Sequence, residues 1–140
     1  MRRFLVVFAL LTLGGCGSFQ GSYNGSASMS GTMFPQAQNY SVTLQLAQSG
    51  STASGTMILS PQANSSQPGA APQQPLTEGF TGTASGNTIT VSITSLSTNV
   101  IGACQAPMTG TLIMNGNQMS GTVVCSNPSM TQTITLNKIN

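Results

Sequence analysis

Apolar residues in this chain recur at every second position, in short runs separated by glycine turns. Tyr40, Val42, Leu44 and Leu46 alternate with Ser41, Thr43 and Gln45, and Ile89, Val91 and Ile93 alternate with Thr88, Thr90, Ser92 and Thr94. Met108, Leu112 and Met114 share one parity, and so do Met119, Val123 and Cys125. Period two sends successive side chains to opposite faces of a strand, so each run has one apolar and one polar face. The β-branched Thr at many polar positions favours extended backbone. A 3.6-residue period is missing beyond the first twenty residues, and the expectation is an all-β chain.

The turns are as informative as the runs. Ser49-Gly50-Ser51, Gly86-Asn87 and Asn115-Gly116-Asn117 have hairpin composition. The segments around them resemble one another: Thr81-Gly82-Thr83 and Thr109-Gly110-Thr111 approach two of the turns, and Ser54-Gly55-Thr56 and Ser120-Gly121-Thr122 follow two. The unit is a hairpin recurring about every 30 residues. Gly55, Gly110 and Gly121 lie on the apolar parity, where a missing side chain lets a strand bend sharply, as at the corners of small barrels. About eight strands are expected, over 22–29, 40–48, 52–60, 76–85, 88–95, 108–114, 118–126 and 130–137. Short connections make sequential strands neighbours, which gives an antiparallel up-and-down barrel. Two stretches interrupt the meander: a Pro/Gln-rich loop over 61–75 and a second loop over 96–107.

This pattern resembles the small meander barrels of the lipocalin and avidin type, and the small bacterial lipoproteins with such repeats. The residues that carry the resemblance are Gly21-Ser22-Tyr23-Asn24-Gly25-Ser26 and the Ser/Thr-Gly-Thr hairpins. Families of this type usually place a Trp in the first strand; here the position is Tyr23, and the chain has no Trp. The aromatic cage of a biotin site is therefore missing, and the resemblance implies architecture alone.

The N-terminus carries a second resemblance. Met1-Arg2-Arg3 is a basic start, and Phe4 to Leu13 is an apolar run interrupted only by Thr12. Such a run is too short to span a bilayer, which takes about 20 apolar residues, and suits the core of a secretory signal. Leu13-Gly14-Gly15-Cys16 resembles the bacterial lipobox. That resemblance implies a signal peptide over 1–15, a lipidated Cys16 (the residue that palmitate would label) on a short tether over 16–21, and a barrel domain over 22–140. Two or more acyl chains hold a protein stably on a membrane. Gly17 and Ser18 follow the Cys, with no Asp to favour inner-membrane retention, so the expected location is the cell envelope, and the outer membrane if the host is Gram-negative.

After removal of residues 1–15, Glu78 and Lys138 are the only charged side chains, and Ser, Thr, Asn and Gln make up nearly half the chain. Nucleic acid is excluded as a partner, because phosphate neutralisation needs several Lys or Arg. An uncharged polar surface lacks the charges that discourage strand edges from pairing, a problem that a closed barrel removes. Cys104 and Cys125 form an even pair in an exported chain and are expected to be one disulfide, worth roughly 3 kcal/mol for a loop of about 22 residues.

The chemistry available is narrow. There is no His and no Asp. Glu78, between the Pro-rich loop and Phe80, reads as a solvated carboxylate at a strand start, and Lys138 as a solvated terminal lysine. Paired-carboxylate chemistry is excluded by count, the Cys pair has no CxxC spacing, His or Asp to complete a metal site, and a nucleophilic Ser or Thr has no base except Lys138. The methionines are read as adaptable core filler rather than soft-metal ligands. No enzyme, no cofactor and no metal are expected. Two functions remain. One is a structural or interaction lipoprotein with a filled barrel, meeting other envelope proteins. The other is lipocalin-like binding of a small neutral apolar ligand against Leu44, Leu46, Met57, Phe80, Val91, Leu112, Met114 and Met119. The first is preferred, because no polar group on the inner parity is placed to orient a ligand.

Overall fold

A computed structural model describes residues 18–32, 34–62, 74–96, 104, 107–127 and 129–139. The described residues form eight β-strands and no helix: β1 (Gly21–Gly31), β2 (Phe34–Ser49), β3 (Thr52–Pro61), β4 (Leu76–Ser85), β5 (Thr88–Ser95), β6 (Met108–Asn115), β7 (Gln118–Ser126) and β8 (Ser129–Ile139). Each strand pairs antiparallel with the next, and β8 returns to β1, from Ser22 opposite Ile139 to Gly31 opposite Met130. The fold is a closed, eight-stranded up-and-down barrel. The one long departure from the expected strands is β2, which begins at Phe34 rather than residue 40. Residues 34–39 carry no polarity alternation; the ladder with β1, from Gly31 opposite Phe34 to Ala27 opposite Tyr40, makes them a strand.

Three of the tight turns share one geometry. Ser49 pairs with Thr52, Ser85 with Thr88 and Asn115 with Gln118, leaving two residues in each loop. The first loop residue is Gly50, Gly86 or Gly116, each with φ near +60°, while Ser51, Asn87 and Asn117 keep negative φ. This is the type II′ pattern, whose twist matches the flanking strands. Each turn also stitches its hairpin to the next. The carbonyls of Ser51, Asn87 and Asn117 accept from the backbone N–H of Ala84, Met114 and Lys138, each at 2.7 Å. The repeat seen in the sequence is thus a repeated hydrogen-bond device.

The inner wall is mostly apolar. Val42, Leu44, Met57, Leu59, Phe80, Ile89, Ile93, Leu112, Met119, Val123, Ile134 and Leu136 are all buried. Phe19 precedes β1 yet belongs to this core: it is 0 % exposed, its N–H donates to Gln48 Oε1 at 2.7 Å, and its carbonyl accepts from the Tyr23 hydroxyl at 2.7 Å. The outer wall is mainly hydroxylic, with Ile58, Ile113 and Val124 exposed among the hydroxyls. Thr83, Thr90, Thr111, Thr122 and Thr133 stand opposite one another on successive strands β4 to β8. Apolar-in and hydroxyl-out is the reverse of a transmembrane barrel, which needs an apolar outer band.

Inner-face glycines let the wall coil this tightly. A Cβ on Gly55 would fall inside the carbonyl oxygen of Gln45, and one on Gly121 inside that of Thr111. Backbone cannot yield as a side-chain tip does. Gly55→Ala is therefore expected to lower the unfolding free energy by about 3 kcal/mol, at the upper end of overpacking costs. Gly50→Ala, where a Cβ meets nothing but φ is +60°, should cost about 1 kcal/mol. Urea unfolding of both variants checks this; equal losses would remove the corner role of Gly55.

Candidate functional site

The strands that give the barrel an apolar wall also bring two polar side chains inside it. In β4, Glu78 shares its parity with Phe80, Gly82 and Ala84; in β8, Gln132 shares its own with Ile134 and Leu136. Glu78 is 3 % exposed and Gln132 0 %. Glu78 is therefore not the solvated carboxylate expected from its place in the sequence. Proximity to the Pro-rich loop suggested solvent, but the ladder places Glu78 opposite Met57 on one side and Ser95 on the other, facing inward. The expectation that the inner parity holds no orienting polar group falls with it. The signal was present in the sequence: both residues occupy the apolar phase of their runs.

Gln132 Nε2 donates to Glu78 Oε2 across the lumen, at 3.4 Å. Gln132 Oε1 is buried with no hydrogen-bond partner. Among the described residues Lys138 is the sole cation, and its ammonium donates to the Ser18 carbonyl at 3.1 Å, at the opposite end of the barrel. Glu78 thus has no cationic partner within the lumen. Burial disfavours its charged form and pushes its pKa up to about 7, the Gln132 hydrogen bond opposing this in part. The Tyr40 hydroxyl is pushed up as well, first by burial and then by the Glu78 charge, which places it in the same polar neighbourhood. Protonated Glu78 is an O–H donor beside an amide oxygen that lacks one, so the neutral acid and the amide can pair reciprocally.

The other expected residues distribute as follows. Cys104 and Cys125 are joined by a disulfide with a Cα–Cα distance of 6.1 Å, which ties the segment after β5 to the end of β7. Leu44, Leu46, Met57, Phe80, Val91, Leu112 and Met119 all face inward, from 0 to 4 % exposed, and Met114 is half-buried near the turn after β6. They come together as one packed core. Cys16 lies outside the described residues, as do most of the two long loops. Among the described residues there is no group of three His, Cys, Asp or Glu that could hold a metal. An open groove of about 410 Å³ on the outer wall is bordered by Thr81, Thr83, Thr90 and Thr109, and its lining carries no charged side chain.

No family model matches the sequence, and a search of curated proteins finds no match.

The buried acid makes stability depend on pH with a definite sign. Its pKa is raised on folding from 4.5 to about 7, so the folded state holds the proton more tightly. The stabilisation is fully present below the unfolded value and is lost as pH rises through the folded one. The total is about 3 kcal/mol, at roughly 1.4 kcal/mol per pH unit. Urea midpoints should fall between pH 4.5 and pH 8, and Glu78→Gln should flatten that dependence. A wild-type midpoint that is constant or rising over this range would contradict a buried acid.

Proposed function

We propose that the chain is a membrane-anchored lipoprotein of the cell envelope, held by a lipid on Cys16, whose barrel serves as a non-catalytic structural or interaction module. What carries this reading is the middle of the barrel. Leu44, Met57, Leu59, Ile89, Leu112, Met119, Val123, Ile134 and Leu136 each have no accessible surface, so no water-sized space touches them. An eight-stranded barrel either fills with side chains or encloses one small ligand, and the packing of these side chains supports the first. Glu78 is closed off with it, and a proton donor sealed in a core has no substrate to reach. The surface left to meet partners is neutral and rich in hydroxyls, suited to uncharged envelope components and unsuited to nucleic acid. The lipobox resemblance of Leu13-Gly14-Gly15-Cys16 supports the anchor, and the lack of Asp after Cys16 supports the outer membrane if the host is Gram-negative.

The Glu78–Gln132 pair favours a second reading, lipocalin-like binding of a small apolar ligand. It supplies the polar group that a ligand site uses to fix orientation. A ligand would then have to displace core side chains from around it.

Two measurements separate these readings. Metabolic palmitate should label the wild type and fail to label Cys16→Ala; persistent labelling defeats the anchor. Protein isolated from native membranes should carry, by intact-mass spectrometry, only its covalent lipid, whereas a stoichiometric non-covalent apolar molecule would favour the ligand carrier.

A further inference from the structure

The two ends of the barrel differ in kind. One end carries the three type II′ turns, at Gly50, Gly86 and Gly116, together with the entry of the chain into β1 and its exit from β8. The connections from β3 to β4 and from β5 to β6 leave the other end, and the Cys104–Cys125 disulfide sits there.

The entry point is fixed. Phe19 is fully buried, its N–H is bonded to Gln48 and its carbonyl to the Tyr23 hydroxyl. The carbonyl of Ser18 is held by the Lys138 ammonium, which also lies 6.0 Å from the centre of the Tyr23 ring. The chain is therefore tied to the wall from Ser18 onward. Only three residue steps separate Cys16 from Phe19, a reach of at most about 11 Å. Strands of the length of β1, 11 residues, tilted as in barrels of this size, give a height of roughly 25–30 Å. A tether that short, on a body that tall, cannot let the barrel turn over.

We infer that the type II′ turn end lies against the headgroups of the bilayer, and that the disulfide end is presented away from the membrane. This rests on the lipid anchor proposed above. Lys138, at the turn end, has the sign that suits an anionic headgroup layer. The barrel is thus held with its turn end toward the membrane and its disulfide end directed away from it.

Because the chain contains no Trp, a single introduced one reports its own surroundings. Asn117 and Asn127 are both exposed, the first in a turn at the proposed membrane end and the second just after β7 at the other end. Lipidated Asn117→Trp and Asn127→Trp proteins are reconstituted into vesicles of phosphatidylethanolamine and phosphatidylglycerol carrying spin-labelled headgroups, and flotation records whether each protein is bound. The expected result is that both float and that the headgroup label quenches the N117W fluorescence several-fold more than that of N127W. Floating protein with equal quenching, or with N127W quenched more, overturns the orientation and leaves the anchor standing. Protein that carries no lipid and fails to float overturns the anchor, and the orientation with it.

Discussion

Everything in this molecule depends on eight strands closing on themselves with very little room inside. The inner wall must approach itself so closely that at Gly55 and Gly121 the backbone of the neighbouring strand takes the space of a methyl group. These glycines sit on the core-facing parity of repeated Ser/Thr-Gly-Thr triplets, so the repeat supplies corners at regular intervals around the wall. With the corners in place β8 meets β1, and each of the eight described strands has a neighbour on both sides. That closure makes an almost uncharged hydroxyl surface tolerable, because the charges that usually guard sheet edges have no edge to guard.

A filled barrel can still hold one polar pair if its charge is removed. Glu78 and Gln132 sit on strands distant in sequence and meet across the lumen. The unpaired Gln132 Oε1 would be costly beside a carboxylate, and less so beside a carboxylic acid with a proton to offer. Burial, which raises the Glu78 pKa to about 7, therefore also improves the hydrogen bonding of its neighbour.

The strands and turns were legible in the sequence because both signals are local. Alternation set β3 through β7 to within a residue, and Gly50, Gly86 and Gly116 marked the hairpins. What escaped was whatever depends on partners distant along the chain. Residues 34–39 have no alternation and become strand only through their ladder with β1. Phe19, read as part of a tether, enters the core because Gln48 and Tyr23 bind its backbone. Glu78 reads as solvated from its place beside the Pro-rich loop, although the phase of β4 points it inward; Gln132 occupies the apolar phase of β8 in the same way. The Cys104–Cys125 bridge is expected from an even count in an exported chain, and the fold brings the two residues together.

The central claim is closure, and amide hydrogen exchange across the seam tests it most directly. Amides that bond between β1 and β8, around Gly25 opposite Leu136, should be as protected as those between β4 and β5, around Phe80 opposite Ile93. Protection that is high between β4 and β5 but lost along the facing sides of β1 and β8 would mean an open sheet and would contradict the closed barrel.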